Sequence, residues 1–220
     1  MTTLADSILG ADLGKTITLE AGDGHRLTGY WADPLREPKG ALVVIQEIFG
    51  VNSHIRAVAD GFADDGYIAL APALFDRAGP GIELGYTPED VETGREIRAK
   101  IDHDDAVRDM EAAVKALNGH NVGVVGYCWG GSLAWNAATR LKGVNAAVGY
   151  PVLFPLLYTT LSIPMDRLRK VIATHPEVPV HIYPAGHGFN CDQRGSYDAA
   201  SATLARQRTL EFFEEHVARG

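Results

Sequence analysis

The sequence contains little cysteine, and the two cysteines it has stand far apart. Cys128 and Cys191 are alone among 220 residues, and neither belongs to a closely spaced pair. A disulfide framework and a structural zinc site both need several ligating residues at short, regular spacings. The pattern fits neither class, and a reducing compartment is the expected environment.

Basic residues are also few relative to acidic ones. Lys and Arg number 20 against 28 Asp and Glu, which gives a net charge of −8 that repels phosphate backbones and anionic lipid heads. No apolar run approaches membrane-spanning length, and residues 1–14 contain no basic leader. We therefore expect a cytoplasmic protein, a monomer or weak homo-oligomer, with no nucleic acid or membrane as partner.

The material for a hydrophobic core is present in ordinary amounts. Apolar residues make up 46% of the chain and charged residues 22%, which is the usage of globular proteins and not of disordered ones. A chain of this length buries roughly 70% of the surface that its unfolded form exposes. The composition predicts one domain over residues 1–220.

Short β-rich segments alternate with helical segments along the chain. The stretches 16–20 and 26–31 surround the turn Gly22-Asp23-Gly24, which predicts an N-terminal antiparallel hairpin. Later apolar runs are typical of parallel strands that are buried on both faces. The expected elements are strands at 41–45, 67–71, 122–125 and 178–183, a helix from Asn52 or Ser53 to Gly66, a helical segment from Thr87 that breaks near Ile101, a helix at 132–141, and a last helix with Leu204, Leu210, Phe213 and Val217 facing inward. This alternation predicts an α/β fold with a doubly wound, mostly parallel sheet.

Cys128 lies where an expected strand meets an expected helix. The run 122–125 leads directly into Gly126-Tyr127-Cys128-Trp129-Gly130-Gly131. Small residues two before and two after the central residue permit the tight strand–turn–helix that presents a nucleophile, and a helix N-terminus lowers the pKa of a thiol. We interpret Cys128 as a candidate nucleophile, with a buried inert cysteine as the alternative. A dinucleotide loop does not fit, because bulky residues stand where it needs bare backbone.

His187 is the candidate general base. It follows the expected last strand in Ala185-Gly186-His187-Gly188-Phe189, and the flanking glycines leave the ring accessible. A nucleophile followed by a histidine is the chain order of hydrolases with such a turn. The other histidines have weaker contexts: His103 begins an acidic helix, His181 belongs to the last strand, and His25, His54, His120, His175 and His216 are expected at the surface or at helix caps.

Glu47 comes directly after the apolar run 41–45. An ionised carboxylate beside a buried run loses solvation unless it has a partner, so a functional acid and an ordinary loop acid both remain open. In hydrolases of this chain order the loop after this strand supplies one oxyanion N–H group, and the residue after the nucleophile supplies the other. Ile48 and Trp129 are the expected donors, through their backbone amides.

From about Thr16 to the C-terminus, the sequence resembles the dienelactone hydrolase family of α/β-hydrolases. The motifs that carry the resemblance are Gln46-Glu47-Ile48-Phe49-Gly50-Val51-Asn52, Gly126-Tyr127-Cys128-Trp129-Gly130-Gly131, His175-Pro176-Glu177-Val178 and Ala185-Gly186-His187-Gly188-Phe189. The resemblance implies an α/β-hydrolase fold and a carboxymethylenebutenolidase-like esterase for small lactones or carboxylic esters, with no cofactor and no metal. It implies Cys128 as nucleophile, His187 as base, and Glu47 as a contact of the resting thiol that helps to form the thiolate when substrate arrives.

The sequence departs from the family pattern between Gly149 and Pro164. In the family, the triad aspartate follows the strand that comes after the helix next to the nucleophile. Thr160 occupies that position here. A Gly-rich loop between Tyr150 and Pro151 is also missing. A local rearrangement, a compensated frameshift and functional divergence would each explain both differences. The replacement acids that the sequence offers are Asp166, Asp192 and Glu177, each of which also fits an ordinary cap or loop position.

Two functions remain in view at this point. The first is a cysteine hydrolase that works through an acyl-enzyme, for which Arg95 and Arg194 are candidate ligands of a substrate carboxylate, although both also fit solvated surface charges. The second is a catalytically impaired relative that binds a ligand with little chemistry, which Thr160 favours. A redox-active thiol is disfavoured, because Cys191 stands at no recognisable resolving spacing from Cys128.

Overall fold

The computed structural model describes residues 14–151 and 165–218, and a six-stranded sheet forms its centre. The strands are β1 (Lys15–Glu20), β2 (Arg26–Ala32), β3 (Gly40–Ile45), β4 (Tyr67–Pro72), β5 (Val122–Cys128) and β6 (Val144–Pro151), in the spatial order β1-β2-β4-β3-β5-β6. The pairs β1/β2 and β2/β4 are antiparallel, whereas β3/β4, β3/β5 and β5/β6 are parallel. The predicted sheet and its N-terminal hairpin are confirmed.

Helices cover both faces of this sheet. Within the described ranges they are α1 (Ser53–Asp64), α2 (Pro88–Ala99), α3 (His103–Ala116), α4 (Trp129–Arg140), α5 (Met165–Thr174) and α6 (Ala199–His216), with a 3₁₀ turn at Leu74–Arg77. The side chain of Asn52 caps α1, and Thr87 and Asp90 form a capping box at the start of α2. The boundary between α2 and α3 at residues 100–102 confirms the break expected near Ile101.

The alternation of side chains along β3 explains why both faces are covered. Ala41, Val43 and Ile45 pack in one apolar cluster with α3 and α4, whereas Leu42 and Val44 pack in a second cluster with α1 and α6. Every residue of β3 and β4 is buried, as expected for parallel strands between two helical layers. Because β3 and β5 are adjacent and parallel, the residues that follow them meet at one edge of the sheet.

Two expectations for the secondary-structure elements are wrong. Residues 178–183 form no strand, and Ile182 is 59% exposed. Pro179 inside this segment and Pro184 after it remove backbone N–H donors that sheet pairing needs. Leu204 is 41% exposed because the buried stripe of α6 runs through Ala202, Ala205, Thr209 and Phe213 instead. Across the part of the chain that is described, no helix combines the length and apolarity needed to cross a membrane.

Candidate active site

Cys128 occupies a strained turn between β5 and α4. Its φ is 55° and its ψ is −116°, and it is the one non-glycine residue of positive φ in residues 14–151 and 165–218. A backbone of this kind costs of order 1–3 kcal/mol and persists only where the surrounding structure enforces it. A Cβ on Gly126 would overlap the carbonyl of Gly130. The tight turn predicted from the flanking glycines is thus present.

The turn between β5 and α4, residues 126–130, packs against the end of β3. A Cβ on Gly130 would lie 2.5 Å from the carbonyl oxygen of Gln46, and Gly126 pairs with Ile45 in the parallel ladder. The close approach is possible only because Gly130 has no side chain. It brings Cys128 and Glu47 to the same edge of the sheet, near enough for the carboxylate charge to act on the thiol.

Glu47 is a buried, paired carboxylate and not a solvated loop acid. Its side chain is 4% exposed and its Oε1 lies 3.2 Å from Nη1 of Arg194. The hydroxyl of Tyr86 donates a hydrogen bond to Oε2 at 3.1 Å. The Arg194 guanidinium also lies 5.7 Å from the ring centroids of Phe49 and Tyr86. The resting partners of Glu47 are therefore Arg194 and Tyr86, and the implied contact with the Cys128 thiol stays a prediction.

The Cys128 thiol is un-ionised at rest. Burial, with the Glu47 charge as the second cause, raises the pKa of Cys128 to about 12. The amide of Trp129 and the charges of Arg194 and Arg95 oppose this increase. The expected lowering effect of the helix N-terminus is present through the Trp129 amide but is outweighed by desolvation, although Cys128 keeps partial exposure to solvent. At neutral pH the thiolate fraction of the resting site is therefore very small.

His187 lies in the loop that precedes α6, half-buried and near Arg194. Burial, followed by the charge of Arg194, lowers the pKa of His187 to about 4, so the imidazole is neutral near pH 7. Its backbone carbonyl accepts a hydrogen bond from Ser196 Oγ at 2.8 Å. Between described residues, no hydrogen bond joins its ring to Cys128 or to a carboxylate. The pairing of thiol and imidazole stays a prediction.

Two of the proposed replacement acids contact histidines other than His187, and the side chain of the third is not described. Oε1 of Glu177 is 3.1 Å from Nδ1 of His175 at the surface, and Oδ1 of Asp192 is 3.5 Å from Nδ1 of His54. Asp166 lies in α5, and Thr160 lies outside the described residues. The described contacts of Glu177 and Asp192 are thus with other histidines.

The remaining predicted site residues border the same edge. Ile48 follows Glu47 directly, and a Cβ on Gly94 of α2 would overlap the Ile48 carbonyl, so α2 packs closely on this loop. The Trp129 amide interacts with the Cys128 sulfur. The side chain of Arg95 is 56% exposed, 3.6 Å from Glu92, yet its charge still acts on the thiol. The roles of Ile48 and Trp129 as oxyanion donors, and of Arg95 as a ligand of a substrate carboxylate, stay predictions.

From the sequence we did not assign His54, Tyr86 and Cys191 to the site. The ligating atoms of Glu47, His54 and Cys191 all lie within 4.8 Å of one another, and the Tyr86 hydroxyl interacts with Glu47 and Cys191. His54 was expected at the surface, but only 7% of its side chain is exposed. No sequence signal identifies it, because a helix-start pattern does not say which side of the first turn faces the core.

Comparisons of the sequence and of the structure with known proteins point to the same family. The model of the dienelactone hydrolase family matches residues 27–164 and 151–217. A carboxymethylenebutenolidase of Pseudomonas putida is 33% identical, covering 91% of this chain and 96% of that protein. A Synechocystis protein assigned as a carboxymethylenebutenolidase is 33% identical, covering 94% and 98% of the two chains. A solved structure from Klebsiella pneumoniae, assigned as a dienelactone hydrolase, superposes with a TM-score of 0.79 at 25% identity, covering 92% and 99%. The two family matches overlap at 151–164, where the sequence departs from the family pattern.

Proposed function

The chain belongs to the dienelactone hydrolase family, and on that premise we propose that it hydrolyses small carboxylic esters or lactones with Cys128 as nucleophile. The observation that carries the proposal is the strained position of Cys128 at φ 55° on the turn between β5 and α4. An inert buried cysteine needs no such strain. The buried pair of Glu47 and Arg194 at the same edge supplies a base and a cation beside the thiol.

Substrate binding activates the thiol in this proposal. A carboxylate on the substrate binds Arg194 and takes this cation from Glu47. The Glu47 carboxylate then lacks a partner in a buried site, which raises its affinity for a proton. It accepts the proton of the Cys128 thiol, and the resulting thiolate lies beside the substrate carbonyl. The nucleophile is thus produced only when a substrate is present.

The thiolate attacks the carbonyl carbon, and the amides of Ile48 and Trp129 stabilise the oxyanion. The proton moves from Glu47 to the His187 imidazole, which donates it to the leaving oxygen as the C–O bond breaks. Because the pKa of His187 is held near 4, its imidazolium is a strong acid for this step. His187 then removes a proton from water, hydroxide attacks the thioester, and the C–S bond breaks. Return of that proton to sulfur restores the thiol.

An activated ester tests the nucleophile directly. We expect a burst of one equivalent of leaving group per chain, and an acyl group on the Cys128 peptide by mass spectrometry after an acid quench. Cys128→Ala removes the attacking atom, so turnover falls by roughly 10³-fold or more. An intact chain without a burst, or acyl transfer to another residue, contradicts the proposal.

Two histidine variants test the assignment of the base. His187→Ala slows acylation and deacylation because both steps transfer a proton through the ring. His181→Ala alters an exposed histidine of the same segment and serves as the matched control. Equal effects of the two substitutions would remove His187 from the mechanism.

The ligand-binding alternative has its own distinct outcome. Acylation of Cys128 without deacylation, together with tight binding of an ester analogue, would favour the impaired relative. Thr160→Asp then tests the missing acid. A large increase in turnover identifies the acid as the limiting defect, whereas no increase means that the chain near Thr160 does not place a carboxylate beside His187.

A further inference from the structure

Glu47, His54 and Cys191 form a buried triangle of metal-binding atoms. One ligating atom from each lies within 4.8 Å of the other two, and their residues are 3%, 6% and 2% exposed. They come from three separate segments: the loop after β3, the first turn of α1 and the loop before α6. The mechanism proposed above uses only Glu47 and leaves the histidine and the second cysteine without a role.

We propose that Glu47, His54 and Cys191 bind a zinc ion. A thiolate, an imidazole and a carboxylate are the donors that Zn²⁺ takes in proteins, at about 2.0–2.3 Å. Ligands at these distances around a tetrahedral ion stand roughly 3–4 Å apart, so distances of up to 4.8 Å in the triangle must shorten by about 1–2 Å. Three protein ligands leave the fourth position open to water or to a small anion.

The electrostatics of the triangle favour a divalent cation. The Cys191 thiol releases its proton to solvent on binding, and the thiolate together with the Glu47 carboxylate supplies two negative charges. These balance Zn²⁺ in a site that excludes bulk water, where an unbalanced charge is costly. In the present arrangement the positive charge of Arg194, 3.2 Å from Glu47, neutralises the carboxylate that zinc would bind.

A second layer of contacts supports the histidine as a ligand. Oδ1 of Asp192 lies 3.5 Å from Nδ1 of His54. A metal bound at Nε2 would leave Nδ1–H to this carboxylate, which is the arrangement that orients most metal-binding histidines. The exposed pair of His175 and Glu177 has a similar contact of 3.1 Å. Among the described residues, this pair does not belong to a group of three potential metal ligands. It therefore provides a matched control for surface binding.

Zinc at this site would inhibit hydrolysis. The ion occupies the Glu47 carboxylate that the proposed mechanism needs for thiol activation, so Cys128 stays protonated. This consequence depends on the proposed function, whereas the binding of zinc itself does not. The site and its effect are therefore tested separately.

The binding test uses Cys128→Ala protein, which lacks the nucleophilic thiol and keeps the triangle. Titration with Co²⁺ as a spectroscopic probe should give one equivalent of a sulfur-to-cobalt charge-transfer band, and Zn²⁺ should displace the cobalt stoichiometrically. Adding Cys191→Ala should abolish the band. Adding His54→Ala should weaken Zn²⁺ affinity by about 100-fold or more, because it removes a ligand and even the loss of a residue that only supports a ligand costs roughly 10–100-fold. Adding His175→Ala should change neither readout.

Absence of the cobalt–sulfur band in folded Cys128→Ala protein, or its persistence without Cys191, would overturn the site. Circular dichroism checks that each variant is folded, and His54→Gln replaces His54→Ala if the latter unfolds. In the native protein, Zn²⁺ should inhibit ester hydrolysis and a chelator should restore it. Bound zinc with undiminished turnover would overturn the inhibitory effect, and a failed burst experiment would leave the binding result unchanged.

Discussion

At the scale of single residues, the surroundings of Cys128 decide its reactivity more than its position does. The sequence predicted a nucleophile at Cys128 from its flanking glycines, together with a pKa lowered by the helix N-terminus. Burial and the charge of Glu47 instead raise the pKa to about 12. Burial is therefore the main reason that the thiol stays protonated, and the carboxylate to which the proposal assigns its activation is the second.

Glu47→Gln should make the free thiol more reactive while it makes the enzyme slower. Removing the carboxylate charge lowers the pKa of Cys128, and each unit of pKa gives roughly a tenfold increase in the thiolate fraction near neutral pH. Alkylation of Cys128 by iodoacetamide should accelerate several-fold, as followed by peptide mass spectrometry, which also separates Cys128 from Cys191. Ester turnover should fall because the activating base is gone.

The opposite charge change provides the control for this prediction. Arg194 lowers the pKa of Cys128, so Arg194→Gln should slow alkylation at the same pH. The pair of variants separates electrostatics from a general loosening of the site, which would accelerate alkylation in both. Acceleration in both variants would contradict the assigned role of Glu47.

At the scale of secondary-structure elements, Arg77 ties the N-terminal hairpin to the helical layer. This residue ends the 3₁₀ turn after β4, and its guanidinium binds Asp109 of α3 at 2.7 and 2.9 Å. It also binds Asp23 in the β1–β2 turn at 2.7 and 3.2 Å. The Asp109 side chain is 0% exposed. One cation thus serves carboxylates on two elements that are distant in sequence.

Arg77→Met should destabilise the chain by about 3–5 kcal/mol, because it leaves the buried Asp109 carboxylate without a partner. Urea unfolding measures the change. Lys15→Met is the matched control: it breaks the Lys15–Asp33 pair, whose side chains are 63% and 54% exposed, and should cost about 1 kcal/mol or less. Similar losses in the two variants would show that burial of the Arg77 pair contributes little.

The elements themselves show where sequence patterns succeed and fail. Local signals placed α1 and α2, because Asn52 and Thr87 cap their own helices. The segment 178–183 has a strand-like composition but forms no strand in the structure. Whether such a segment pairs depends on a free neighbouring edge and on its prolines, and composition reports neither reliably.

At the scale of the whole molecule, His187 couples stability to pH. Burial and Arg194 hold its pKa at about 4 in the folded chain, against an ordinary value of 6.5. Between these values the unfolded chain binds a proton that the folded chain does not. The free energy of unfolding should therefore fall as pH drops from 6.5 towards 4. His187→Gln should flatten this part of the profile in urea unfolding, whereas His181→Gln should not; identical profiles would contradict the assigned pKa.

The proposal of one domain over residues 1–220 also belongs to this scale. A single hydrophobic sheet covered on both faces should unfold in one cooperative step. Far-ultraviolet circular dichroism and tryptophan fluorescence should give coincident thermal transitions. Two separated transitions would indicate two folding units.

Local sequence patterns were enough to predict the α/β class, the succession of β1 to β5 along the chain, the caps of α1 and α2, and the tight turn at Cys128. These features depend on local periodicity, turn residues and glycine, whose effects act over a few positions. Tertiary structure alone decided that Glu47 pairs with Arg194 and that His54 and Cys191 lie beside it. These residues are separated by up to about 150 positions in the chain, and the packing of α1 and of the loop before α6 against the end of β3 brings them together. Contacts of that range leave no periodic trace in the sequence, and neither do the pKa values that burial imposes on Cys128 and His187.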